Sequence, residues 1–232
     1  MPLDINGWID GITASGVVIF GLVFGLFFIF RSRKTKAKLL GYLGLANMLA
    51  GLMFLGVFTD FLWVLFTTSN IDNSTGLVGL LSYVFYAPTI ITAMYIGVEL
   101  IIPKTKLYLL SIIAIISIIF EIVIFIDPLG SFNFNPIPNG LIDYNVNLMT
   151  LAGFLMGGLL LAVLFVLGFG FIYKGFQSSG VIRKNFLYLS AGSLCFCIFG
   201  LLEGLTAPGV FVIVVRIGYL SSFWLMYLGL KT

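Results

Sequence analysis

Five ionisable side chains lie inside stretches of the chain that are otherwise apolar: Asp60, Glu99, Glu121, Glu203 and Arg216. A charge inside a membrane is costly and needs a partner, water or a ligand, so these residues are where chemistry is first sought. Other chemistries are poorly supplied. The chain has no histidine, which removes imidazole metal ligands, a histidine-based triad and the usual proton relay. Cys195 and Cys197 are two apart in one stretch, where a helix turns them about 200° from each other, so they cannot share a metal or form an ordinary disulfide; they read as small apolar packing residues. No metal site, cofactor motif or Gly-x-Gly-Asp aspartyl pair is recognisable, and an enzyme is not expected.

The elements that position these charges are seven apolar stretches, roughly Gly11 to Phe30, Leu39 to Phe66, Gly76 to Ile102, Leu107 to Ile126, Leu148 to Ile172, Asn185 to Thr206 and Gly209 to Leu230. Each is about 20 residues or longer, enough at about 1.5 Å per residue to cross a hydrocarbon layer about 30 Å thick. With 60% hydrophobic and 9% charged residues, a water-soluble domain of any size is excluded. The expected fold is an all-α membrane protein, residues 1–232 forming a single bundle of seven transmembrane helices.

All basic residues but Arg216 fall in gaps on alternate sides of the stretches. Arg31, Arg33, Lys34, Lys36 and Lys38 follow the first, Lys104 and Lys106 the third, Lys174, Arg183 and Lys184 the fifth, and Lys231 the last. The opposite side carries Asp4, Asp10, Asp72, Asp127 and Asp143 and no basic side chain. The positive-inside rule then places the amino terminus outside and the carboxyl terminus in the cytoplasm. The first stretch lacks a basic region before it and a small-residue cleavage site, and reads as a retained span. The net charge of +3 is an inner-leaflet pattern whose partners are membrane lipids; the basic loops are too short for a nucleic-acid surface.

Glu99 lies one turn from the inner end of its span, close to Lys104 and Lys106, and reads as an interfacial salt bridge. The other four charges share a depth. Counting along spans of alternating direction puts Asp60, Glu121, Glu203 and Arg216 within about 4 to 12 Å of the outer boundary. Three carboxylates then face one guanidinium, which satisfies at most two of them well. One reading makes this layer a site for a small ligand, cation or proton. In the other, Arg216 pairs with Glu203 as structural glue while Asp60 and Glu121 reach the outer surface. Asn47, Tyr83, Tyr86, Trp224 and Tyr227 are the polar and aromatic neighbours of such a cavity, and Pro88 should kink the third span.

Residues 127 to 147, rich in Asn, Pro and aromatics, form a long outer loop, read either as a lid over a site or as a cap on the bundle. Asn73-Ser74-Thr75 matches the N-glycosylation pattern on the outer side, making Asn73 a glycosylation candidate. The pairs Gly21 and Gly25, Gly153 and Gly157, and Gly200 and Gly204 are expected to let helices approach closely.

The topology invites comparison with microbial rhodopsins, but the seventh span carries Arg216 and no lysine to hold retinal; no Asp-Arg-Tyr or Asn-Pro-x-x-Tyr element supports animal-type G-protein coupling. Gly-Leu-Leu-Glu-Gly-Leu-Thr-Ala-Pro-Gly (200–209), Val-Arg-Ile-Gly-Tyr-Leu-Ser-Ser (215–222), Tyr-Leu-Gly-Leu (227–230) and Gly-Val-Ile-Arg-Lys-Asn-Phe-Leu-Tyr-Leu-Ser (180–190) carry a resemblance that extends to Leu-Leu-Gly-Tyr-Leu-Gly (39–44) and Ile-Gly-Val-Glu-Leu-Ile-Ile-Pro (96–103). In these segments the chain resembles a paralogous family of seven-span integral membrane proteins of Asgard-type archaea. The family has no assigned activity, so the resemblance implies a multi-pass protein of an archaeal plasma membrane and supplies no mechanism.

Only Lys231 and Thr232 follow the last stretch, so no soluble domain is expected there. A receptor built this way would signal through its inner loops or through a membrane or cytoplasmic protein partner. The expectation is a receptor-like or sensor-like bundle with a small-ligand, cation or proton site in its outer half. An ion or small-solute channel or transporter is the alternative, weakened by the absence of an evident inverted repeat and by the apolar inner halves of several spans. A structural or lipid-interacting protein is the third reading.

Overall fold

The computed structural model describes residues 3–135 and 139–231. Pro136 to Pro138, in the Asn- and Pro-rich loop, and Thr232 lie outside the described residues.

Helix α1 (Ile5–Thr35) starts where the Asp4 side chain accepts from the Gly7 amide at 2.7 Å, and ends at Lys36 in the left-handed region, φ 57°. It is longer than the apolar stretch at both ends. Helix α2 (Lys38–Leu52) runs back along it and meets α3 (Leu55–Thr67) at a 47° bend. Helices α4 (Leu77–Tyr83) and α5 (Tyr86–Ile101) form the third span, interrupted at Val84 and Phe85. The interruption falls where Pro88, whose missing N–H cannot bond the carbonyl four residues back at Val84, frees the backbone, while Leu77–Ile101 still runs as one span. A 3-10 turn, Pro103–Thr105, leads into α6 (Lys106–Ile126).

Next come the short α7 (Pro128–Ser131) and two antiparallel strands, β1 (Phe132–Asn135) and β2 (Asp143–Val146). The fifth span is α8 (Leu151–Val163), a π-helical stretch (Leu164–Phe169) and α9 (Gly170–Phe176). Helices α10 (Gly180–Glu203) and α11 (Val210–Leu230) complete the chain.

Six helical segments are individually long and apolar enough to cross a membrane, and α2 with α3 makes a seventh if the bent pair is one span. The spans pack in chain order as a ring, α1 on α2, α2 on α5, α5 on α6, α6 on α8, α9 on α10, α10 on α11, with α11 returning to α1. Large apolar side chains such as Phe66, Leu107 and Phe154 are more than three-quarters exposed on the outside of the ring, the surface of a multi-pass membrane protein rather than a soluble one.

The glycine pairs divide. A Cβ at Gly21 would lie 2.7 Å from the Cα of Gly51, and one at Gly25 2.7 Å from the Gly44 carbonyl oxygen, so α1 and α2 pack backbone to backbone. The expectation fails for the other two pairs. Gly153 is crowded by Asn147 and Leu148 of its own approach loop, Gly157 has open space, Gly200 meets only the Tyr219 ring, and Gly204 only the Leu201 carbonyl of its own helix.

The segment from Asp127 to Asn147 is not a structureless loop. Asp127 caps α7, and the strands pair Phe132 with Val146, Asn133 with Asn145, Phe134 with Tyr144 and Asn135 with Asp143. Alternation along the strands buries Phe132 and Val146 on one face and leaves Asn133, Asn135, Asp143 and Asn145 on the other. The hairpin seats its apolar face against Gly79 and Tyr83. This end of the bundle is called the hairpin end, and the opposite one, carrying the basic loops, the basic end.

Candidate functional site at the hairpin end

Arg216 lies in the second turn of α11, almost fully buried, and uses every N–H it has. Its Nε and Nη2 donate to Glu203 Oε1 at 3.0 and 2.7 Å, and Nη2 also donates to Asp10 Oδ1 at 2.6 Å. Nη1 donates to the Asp10 carbonyl at 2.7 Å and to Thr13 Oγ1 at 2.5 Å. That spends all five donors of a guanidinium. Its carbon lies 5.1 Å from the centre of the Phe54 ring. The Glu203 pairing matches the sequence. The Asp10 pairing does not: Asp10 reads as an outer-loop acid because the apolar stretch begins at Gly11, yet it is the sixth residue of α1, with a 6% exposed side chain. The signal for it was Asp4, a helix N-cap residue six positions earlier that starts the helix before the apolar run.

Asp60 makes no pair with Arg216, and the expectation that it reaches the outer surface fails. It is fully buried, so it does not reach the surface, and it bonds loops rather than Arg216. Its Oδ1 accepts from the Ile71 amide at 2.9 Å, and its Oδ2 accepts from the Ile142 amide at 2.8 Å and from Asn70 Nδ2 at 3.0 Å. A carboxylate taking three N–H donors is a strong local anchor, here fastening the hairpin and the loop after α3 to the end of the second span.

Glu121 is also apart from Arg216. It faces the backbone of Ala87 at the start of α5, and neither of its buried carboxyl oxygens has a hydrogen-bond partner among the described residues. Ser117, one turn earlier on the same face, is buried with its hydroxyl equally unpartnered. Asn47, expected beside the site, is fully buried in α2 with both amide atoms unpartnered among the described residues, and lines no part of the hollow beside Arg216. Tyr227, stacked on Phe28, and half-exposed Trp224 also lie away from it. Glu99 pairs with Lys106 at 2.7 Å, as expected. Asn73 Oδ1 accepts from the Val78 amide, in the first turn of α4, at 2.9 Å.

Around the Arg216 cluster the structure is hollow. A cavity of about 100 Å³ is walled by Asp10, Glu203, Arg216, Asp143 and Tyr144, and adjoins a larger one of about 510 Å³. The two share Met53, Tyr83, Asp143 and Tyr219 as walls. The larger cavity takes its polar wall from the amide face of the hairpin, Asn133, Asn135, Asp143 and Asn145, and its floor from Tyr86, Tyr219, Met156 and Phe196. Of the sequence-derived neighbours, Tyr83 and Tyr86 are here; Tyr86 donates to the Met156 carbonyl at 2.8 Å, bridging α5 to α8. A volume of this size, largely apolar with a few convergent polar groups, is the usual form of a small-ligand pocket.

Comparison with known proteins found no matching family model, curated protein or solved structure. The reading of the site therefore rests on its own chemistry. Glu203 Oε2 is shut off from solvent and has no partner among the described residues, while Oε1 takes two bonds from Arg216. Three carboxylates, Asp10, Glu203 and Asp143, share the cavity with one guanidinium. The arrangement can accept a hydrogen-bond donor or a positive charge.

Proposed function

We propose that this chain is a receptor-like or sensor-like membrane bundle that binds a small ligand or cation in the cavity at its hairpin end. The observation that carries the reading is an amide-walled cavity of about 510 Å³ adjoining the smaller hollow on which the buried Asp10–Arg216–Glu203 cluster opens. A charge cluster serving only as glue would be packed shut, because a cavity beside buried charges forfeits packing energy. The distribution of lysines and arginines supports an amino terminus outside and a carboxyl terminus in the cytoplasm, so the cavity faces outward. The resemblance carried by residues 180–190, 200–209, 215–222 and 227–230 supports an archaeal plasma membrane as the setting.

One observation favours a transporter as the second reading. A cleft of about 380 Å³ walled by Lys38, Asn185, Leu189 and Leu230 opens at the basic end, and a small apolar pocket between it and the outer cavity shares Leu189 and Leu230 with the one and Phe196 with the other. Phe196, Phe223 and Met226 wall that pocket, an apolar barrier across the path, which ranks transport behind sensing.

The test is thermal stability of the purified protein across pH 4 to 8 with a panel of cations, amines and lipids. A midpoint that a ligand raises in the wild type and leaves unmoved in Glu203→Gln supports the site. A flat response throughout the panel refutes it. Uptake of the stabilising compound into proteoliposomes would replace the sensor with the transporter.

A further inference from the structure

The walls of the outer cavity differ in a way that selects its ligand and its route. Helix α8 packs on α6, while its continuation α9 packs on α10; on the hairpin side of the π-helical stretch, α8 and α10 barely meet. The larger cavity fills the gap, with Met156 and Leu160 on one side and Phe196, Gly200 and Leu201 on the other. Gly200, on the cavity wall, meets only the Tyr219 ring, 3.8 Å from where a Cβ would stand, so no helix packs against it there. A glycine at such a position in a membrane helix ordinarily serves close helix contact; this one faces an opening.

Between α8 and α10 the rim of the opening is apolar: Met149 is 96% exposed, Leu205 62%, Leu148 52% and Leu201 46%. The hairpin side of the same mouth is polar, with Asn133 and Asn135 exposed, and the carboxylates around Arg216 line the adjoining smaller cavity. At the inner end Arg216 has no donor left, and three carboxylates, Asp10, Glu203 and Asp143, outnumber the one guanidinium. A carboxylate or phosphate head would meet like charge there. An ammonium brings three donors and the missing positive charge.

We infer that the ligand of this cavity is a membrane-borne amphiphile with an ammonium head, which enters sideways between α8 and α10 and places its head beside Glu203 and Asp143. The inference rests on the cavity being a ligand site.

The experiment uses the full chain in phosphatidylcholine nanodiscs with three probes: hexadecylamine, butylamine and hexadecanoate. Hexadecylamine at near-saturating loading should raise the melting temperature by about 5 °C or more. Butylamine and hexadecanoate should produce a small fraction of that shift. Gly200→Phe, which fills the opening, and Asp143→Asn, which leaves the three residues of the Arg216 cluster in place, should each abolish most of it. Met156→Trp repeats the block from the opposite helix should Gly200→Phe fail to fold. Equal shifts with butylamine and hexadecylamine, unaffected by the blocking variants, would overturn the lateral route and the amphiphile while leaving a ligand site standing. A hexadecanoate shift as large as that of hexadecylamine would overturn the ammonium head. No response to any probe, nor to the wider panel of ions and lipids, would remove the ligand site as well.

Discussion

Replacing Arg216 with leucine is the sharpest test of how the hairpin end is held together. The guanidinium ties α11 to α1 and α10 through five hydrogen bonds, and its two carboxylate partners have side chains 6% and 24% exposed. Removing it leaves Asp10 and Glu203 without their countercharge. An orphaned carboxylate escapes by taking up a proton, at a cost of about 1.4 kcal/mol for each unit between the ambient pH and its ordinary pKa. At pH 7, with ordinary values of 3.8 for Asp and 4.5 for Glu, that cost is bounded at about 4 and 3 kcal/mol. Hydration through the adjoining cavity lowers both. The range of about 3–5 kcal/mol for breaking a buried pair is the resulting expectation.

For a chain of this size each kcal/mol moves the melting temperature by about 2–4 °C, so Arg216→Leu should melt about 6–20 °C below the wild type in detergent or nanodiscs at pH 7. The deficit should shrink at pH 5, where protonating an orphaned carboxylate costs far less. Asp10→Asn together with Glu203→Gln in the Arg216→Leu background should recover part of the loss, since the cluster then holds no buried charge. A melting temperature within about 2 °C of wild type at pH 7 would refute the pairing as a source of stability, and a deficit independent of pH would refute the orphaned-carboxylate account of it.

Other perturbations separate the charges by role. Asp60→Asn keeps one acceptor oxygen where two served three donors, and should cost about 1–3 kcal/mol while raising hydrogen exchange at Ile71 and Ile142. Gly21→Ala forces a methyl against the Gly51 backbone and should cost about 1–3 kcal/mol, whereas Gly157→Ala meets open space and should be neutral or slightly stabilising by thermal melt. Glu99→Gln breaks a pair whose side chains are 28% and 39% exposed, and its effect should stay below about 1 kcal/mol, with no change at the hairpin end.

A helical chain of six to seven apolar spans was legible in the sequence, because apolar length is a property of composition along the chain. The Arg216–Glu203 pair was legible too, since both depths follow from the rise per residue. Asp60 and Glu121 shared that depth and were misplaced, because depth says nothing of azimuth, and only packing decides which face of a helix looks at which neighbour. The hairpin was missed for a different reason. Its strands are four residues each and rich in Asn, a composition that reads as turn, and they are held as strands by Phe132 and Val146 packing under them and by Asp60 accepting from Ile142. The cavity was invisible in sequence because glycines announce close packing and open space alike.

The cavity lies where the helices break, and the chain supplies partners for the breaks. The bend between α2 and α3 leaves Met53 and Phe54 as wall residues, the interruption of the third span is flanked by wall residues Tyr83 and Tyr86, and α10 ends at Glu203. Irregular backbone at membrane depth is tolerated where side chains satisfy it or a cavity hydrates it. At the bend both ends are served. The Tyr219 hydroxyl donates to the Ala50 carbonyl at 3.3 Å, in the last turn of α2, and the Gly56 amide, in the first turn of α3, donates to Ser82 Oγ at 2.9 Å. Ser82 also bonds the Tyr144 hydroxyl, a phenol outside the spans that burial pushes above its usual range and so keeps protonated. One hydroxyl therefore links the start of α3, the third span and the hairpin. Ser82→Ala would leave the Gly56 amide and the Tyr144 hydroxyl buried without partners, at about 1–3 kcal/mol each. If the break is held open by these bonds, exchange should rise together at Gly56 and at Tyr144 in this variant. A rise at Gly56 alone would mean that the hairpin is seated by Asp60 and its apolar face without help from the bend.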